Sequence, residues 1–485
     1  MSEPTRHDGV LADGAHDAAA EVAAEAVTSA RPAPEPDGRP ASVWSTGVCR
    51  SDDGALSVAG ADLRAVAAEH GTPAYVVDEA DLRARARSYA EAFAAAFAES
   101  EGLAGADVYY AGKAFLSLAV ARWVHSEGLR IDTSTAGELA VALRAGVPGE
   151  HIGLHGNNKS DEELVTAIEH RVGRIVVDSL GEIERVAALA AERGVRAPVM
   201  VRVTTGVHAG GHDFIATAHE DQKFGLSLAS GAARQAFEEI LAAPSLNLIG
   251  VHSHIGSQIL DLAGFEAAAR SVLQLRAEIA EETGHLMPEV DLGGGYGIRY
   301  TGADDEPPSP AQIATGLATI VHAVCAELGT EIPRISVEPG RSIAGPAGLT
   351  LYRVGAVKPV ALDGGGERLY VSVDGGMSDN IRPALYGAAY TAALANRTSA
   401  VEHVTARVVG KHCESGDIVV HDVALPADIG PGDLLAVPAT GAYGRSMASQ
   451  YNLVPRPPVL AVTEGQVRPI MRRETLEDLL ALDLG

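Results

Sequence analysis

Lys113, His254, Glu338 and Cys413 are the side chains of this chain whose types could run covalent and proton-transfer chemistry, and each stands in a short polar stretch. Lys113 ends Tyr-Ala-Gly-Lys, and His254 lies in His-Ser-His-Ile-Gly-Ser257-Gln. Glu338 opens Glu-Pro-Gly340-Arg341, and Cys413 sits in Gly-Lys-His-Cys-Glu414-Ser-Gly-Asp. A Gly-rich turn that includes Gly293, Gly294 and Gly295 precedes Glu338. Backbone N–H groups exposed by glycine beside an arginine are what a bound phosphate requires.

These groups must be brought together by the elements between them. Eight β-like runs, at Val108, Arg130, Ile152, Arg174, Val199, Leu248, Glu289 and Ile335, alternate with amphipathic helical stretches. Parallel strands need crossover helices, so this pattern predicts a (β/α)8 barrel of the TIM type, with an open doubly wound sheet as the alternative. The first four runs begin about 22 residues apart, which favours the barrel. Beyond Arg341, runs such as LTLYRVGAVKPV and RLYVSVDGG are divided by Gly, Pro and Asp, as in antiparallel β structure. The expected organisation is a disordered tail over 1–40, a segment over 41–77 that joins a β domain, the barrel over 78–341, and a C-terminal β domain over 342–485. Residues 204–229, after the fifth run, read as an insert, a lid or a dimer contact.

Composition narrows the function. A formal charge of −26 argues against nucleic acid as a partner. No run approaches 18 uninterrupted apolar residues and the N-terminus lacks a basic region followed by an apolar one, so neither a membrane span nor a signal peptide is expected. Three widely separated cysteines lack disulfide or metal spacing and fit the cytoplasm. His412 adjoins Cys413 with no second Cys or His pair, so no metal site is expected. Cys49 and Cys325 read as structural.

In a barrel of this kind chemistry gathers at the C-terminal ends of the strands, where Lys113, His254, Glu338 and the Gly-rich turn all fall. A phosphate site, a lysine able to form an imine, a histidine able to lie over a flat ring and an acid able to hold a protonated ring nitrogen together describe pyridoxal phosphate.

The motifs Y-A-G-K-A-F, D-T-S-T-A-G-E-L, H-G-N-N-K-S, H-S-H-I-G-S-Q, G-G-G-Y-G, E-P-G-R-S, G-K-H-C-E-S-G-D and G-A-Y follow one another from about Thr72 to the C-terminus. In that order they resemble the diaminopimelate decarboxylases, within the alanine racemase-like barrel enzymes that include ornithine and arginine decarboxylases. The resemblance implies a dimeric decarboxylase that forms lysine from meso-diaminopimelate. It implies that Lys113 carries the cofactor as an imine, that His254 stacks on its ring and that Glu338 faces the ring nitrogen. Ser257, Gly294, Gly295, Gly340, Arg341 and Tyr443 are then the phosphate-side residues. Arg341, Arg382, Tyr386, Glu414 and Tyr443 are the residues for the substrate's distal end. Cys413 then reaches into the partner subunit's site as the proton donor. Ornithine has no distal carboxylate and little use for two arginines. The rival readings are another basic amino acid decarboxylase or a racemase of the same group, and an inactive regulatory relative. The segment RVTTGVHAGGHDF departs from the Asn-Pro and His-Thr-His of many relatives.

Overall fold

The computed structural model describes residues 43–98, 102–206 and 223–485. The expected tail over 1–40, and residues 207–222 of the expected insert, lie outside the described residues.

Eight parallel strands close into a barrel: Ala106–Ala111, Arg130–Thr133, Ile152–Leu154, Arg174–Val177, Ala197–Thr204, Leu246–His252, Glu289–Asp291 and Arg334–Val337. Each pairs with the next, and closure comes from strand eight against strand one, with Ile335 beside Ala106. The alternative of an open sheet is thereby set aside. A short strand, Leu226–Ser227, adds to the edge of strand five. Hydroxyl caps start the helices that follow the strands: Ser117, Thr135, Ser160, Ser179 and Ser309 each accept a backbone N–H of the first turn. Each such cap contributes about 1 kcal/mol and sets where the chain turns away from the barrel mouth.

Alternation along the strands separates two environments. Ile131, Ile175, Val199, Val290 and Ile335 join the apolar core shared with the surrounding helices. Their neighbours Asp132, Arg174, Met200, Asp291 and Ser336 meet inside the barrel. The Arg174 guanidinium stacks 3.5 Å over the Tyr109 ring and lies 2.6 Å from Asp291. Burial works against that charge, but Tyr109, Asp291, Asp132 and Glu338 outweigh it and hold Arg174 well above its ordinary pKa. A charged network therefore floors the barrel beneath its catalytic end.

Among the described residues one barrel helix, Pro310–Leu328, is long and apolar enough to cross a membrane by length and composition, although polar residues interrupt it. It packs against helices Glu79–Ala96 and Ala263–Thr283, and it buries Cys325. Cys49, expected to be structural, is exposed instead.

The second sheet draws on both ends of the chain. Strand Ala74–Asp78 lies between Gly348–Ala361, antiparallel, and Val459–Thr463, parallel. Glu367–Val373 also runs parallel to His403–Val409. The sheet is thus mixed rather than wholly antiparallel. The reason is connectivity: the 374–402 segment, with its helix Arg382–Tyr386, is long enough to cross over.

Candidate active site

Lys113 projects from a single 3-10 turn, Gly112–Ala114, directly after the first barrel strand. That turn is gripped by the β domain: Tyr443 N–H and Ser446 Oγ both donate to the Ala114 carbonyl, at 2.8 and 3.0 Å. Tyr443 adopts φ +61°, a left-handed conformation uncommon for a residue with a side chain. The surrounding contacts hold that geometry in place, with its ring under Arg341 at 4.7 Å.

A cavity of about 420 Å³ opens beside this lysine. It is lined by Lys113, His254 and Glu338, by Ser257, Gly295, Gly340, Arg341 and Tyr443, and by Arg382 and Tyr386. Ten of the residues singled out in the sequence therefore share one cavity, although they span 331 positions of the chain, from 113 to 443 counted inclusively. Gly294 is adjacent rather than lining, and its N–H donates to His254 Nδ1 at 3.2 Å. That bond leaves the ring proton on Nε2 of a neutral imidazole. Burial, and then the Lys113 cation, hold His254 well below its ordinary pKa.

The phosphate chemistry read from the sequence has a matching geometry. Arg341, nearly buried, donates to Ser257 Oγ at 2.8 Å and to the Tyr300 hydroxyl. Gly295 sits at φ +113°, and a Cβ there would meet the Gly256 carbonyl at 2.5 Å, so only glycine leaves this wall open. Glu338 is held well below its ordinary pKa, because His155, His252 and Arg174 outweigh the effect of its burial. A flat slot between a neutral imidazole, an amine and a carboxylate, with an arginine and hydroxyl beyond, suits pyridoxal phosphate.

Arg382 donates to the Tyr390 hydroxyl at 2.5 Å and lies 4.7 Å over the Tyr300 ring. Burial pushes Tyr390 up to about 12, so its hydroxyl stays neutral. Tyr300 and Tyr390 were not singled out in the sequence. Tyr390 does have a signal there, since it continues the four-residue spacing of Arg382 and Tyr386, and Tyr300 has none.

Cys413 and Glu414 do not join the cavity. Both are exposed on a loop pinned at its base. Asp417 accepts the N–H groups of Met377 and His412 at 2.6 and 2.7 Å, and His412 Nε2 lies 2.8 Å from Ser378 Oγ. The buried His412 and Asp417 explain the residues that bracket the thiol: they anchor a rigid loop that presents Cys413 outward.

Residues 79–345 match the pyridoxal binding domain of the pyridoxal-dependent decarboxylases. The chain is 53% identical over 446 residues to the diaminopimelate decarboxylase of Mycobacterium bovis, covering 91% of this chain and 98% of that one. It is 46% identical to the enzyme of Bacillus subtilis, over 90% of this chain and 96% of the relative. The crystal structure of diaminopimelate decarboxylase from M. jannaschii in complex with L-lysine superposes with a TM-score of 0.82 at 32% identity, over 91% of this chain and 98% of that one. By the family match over more than half of the chain and by its identity to these relatives over nine-tenths of its length, the chain belongs to the diaminopimelate decarboxylase family of pyridoxal-phosphate-dependent decarboxylases.

Proposed function

We propose that this enzyme removes the carboxylate at one end of meso-diaminopimelate, giving L-lysine and CO2 as a step of lysine biosynthesis in the cytoplasm. The observation that carries the reading is the make-up of one cavity: Lys113, His254 and Glu338 share it with two cations, Arg341 and Arg382, that converge on Tyr300.

Bound pyridoxal phosphate supplies an electron sink for the bond that breaks. Lys113 is the residue that would hold it covalently. His254, neutral and oriented by Gly294, would pack against its ring, and the anionic Glu338 would favour a protonated ring nitrogen. Ser257, Gly294, Gly295, Gly340, Arg341 and Tyr443 hold the phosphate. Arg382, with Arg341, Tyr386 and Tyr443, receives the distal carboxylate. A carboxylate that is to leave must avoid strong cationic pairing, since an ion pair would stabilise the ground state more than the transition state. The arginines belong at the end that survives as lysine.

The exposed Cys413 and Glu414 fit a homodimer with composite sites. Cys413 of the partner subunit delivers the proton to the carbon that lost CO2, and Glu414 of the partner subunit pairs with the distal amine. Release of CO2 from meso-diaminopimelate, ornithine, lysine and arginine tests the reading. Diaminopimelate should be turned over with a kcat/KM at least a hundredfold above the others. Comparable turnover of ornithine or lysine would replace this assignment with that of a broader basic amino acid decarboxylase.

A further inference from the structure

Glu338 does not stand alone in the cavity wall. Its Oε1 lies 3.0 Å from His252 Nε2 and 3.5 Å from His155 Nε2, and His155 Nε2 lies 3.0 Å from Asp132 Oδ1. The two imidazoles meet edge to face at 5.1 Å. All four side chains are nearly or fully buried. Behind them Arg174 lies 3.3 Å from Asp132 and 2.6 Å from Asp291. The polar tips that converge here, His155 Nε2, His252 Nε2, Glu338 Oε1 and Asp132 Oδ2, are buried without a completed hydrogen bond. Buried polar atoms left this way are costly unless a partner arrives.

Charge explains why two histidines belong here. Asp132, Asp291 and Glu338 are three carboxylates in a contact network whose one guanidinium is Arg174. The other charged or titratable groups that face Glu338 among the described residues are Arg202, His254, Lys113, Glu138 and Tyr296. His254 is committed to Gly294. An isolated carboxylate in so dry a wall would tend to take up a proton and turn neutral. A neutral Glu338 could not hold a proton on a ring nitrogen opposite it.

We propose that His155 and His252 are positioning residues that act through Glu338: together they keep it anionic and aimed at the cavity, and so keep the cofactor's ring nitrogen protonated. Asp132 and Arg174 orient His155 in turn. This rests on the reading of the cavity as the cofactor site, and the experiment separates the two.

Wild type, His155→Gln and His252→Gln are loaded with pyridoxal phosphate labelled with 15N in the ring, and the nitrogen shift is followed from pH 6 to 9. In wild type the nitrogen should stay protonated across this range. In each variant it should lose its proton within this range, with kcat down tenfold or more and KM for the substrate within about twofold. If a glutamine variant does not fold, His155→Asn and His252→Asn replace it, and 13C spectra of the unloaded proteins follow the Glu338 carboxyl. It should take up its proton at higher pH in each variant than in wild type. An unchanged ring-nitrogen signal in the variants, an unchanged Glu338 carboxyl, or a metal ion retained by His155, His252 and Glu338 in the loaded protein overturns the proposal. Failure of the wild type to bind the cofactor at all would instead overturn the cofactor-site reading.

Discussion

Arg382→Ala tests the substrate contacts proposed for the cavity. The guanidinium is 6% exposed, donates to Tyr390 at 2.5 Å and lies over the Tyr300 ring, so its planar fork is fixed before any substrate arrives. A charge-assisted hydrogen bond from such a group to a carboxylate contributes about 1.5–3 kcal/mol. At 1.36 kcal/mol for each factor of ten, its loss should lower kcat/KM for diaminopimelate by about 10- to 150-fold. Arg382→Lys keeps the charge without the fork and should fall between wild type and alanine. Initial rates of CO2 release give the comparison, and inhibition by L-lysine, which keeps the distal carboxylate, should weaken in parallel. Cofactor absorbance should be unaltered, since Arg382 contacts Tyr300 and Tyr390 rather than the Ser257–Arg341 pair. Undiminished kcat/KM, or a loss that tracks cofactor occupancy, would refute the assignment of Arg382 to the substrate.

Mixing Lys113→Ala with Cys413→Ala, each nearly inactive alone, under subunit exchange should restore about a quarter of wild-type activity, because roughly half the dimers are mixed and each has one intact site of two. No recovery despite exchange confirmed by mass would mean that Cys413 serves its own chain. Burial pushes Asp379 from the ordinary 3.8 up to about 7. The folded state therefore binds this proton more tightly than the unfolded chain does, and stability is lost as pH rises from about 4 through 7. Asp379→Asn should flatten that fall, by up to about 2.6 kcal/mol between pH 5 and pH 8, in denaturation curves taken at those two values. Equal pH slopes for variant and wild type would count against it. Glu414→Ala should weaken diaminopimelate use by about 1.5–3 kcal/mol through loss of the distal amine's partner, and unaltered KM and kcat would remove Glu414 from the site.

The barrel was legible because its strands are short apolar runs followed by amphipathic helices, a pattern that repeats about every 22 residues over the first four. The parallel pairings of Ala74–Asp78 and Glu367–Val373 were not, since they depend on which distant strand lies beside each. Lys113, His254 and Glu338 were legible as polar residues at strand ends. Asp132 and Arg174 sit within strands, where a polar residue reads as an exposed position until closure turns that face inward. Tyr300 gained its place only through Arg341 and Arg382, whose side chains converge on it from separate segments.

Borohydride reduction of the protein loaded with pyridoxal phosphate, followed by peptide mass mapping, bears most directly on the claim that the Lys113 cavity is where the cofactor works. The cofactor's mass should appear on Lys113 alone, and Lys113→Ala should lose both the label and all release of CO2. Label on Lys159, Lys411 or any other lysine, with Lys113 unmodified, would contradict the account.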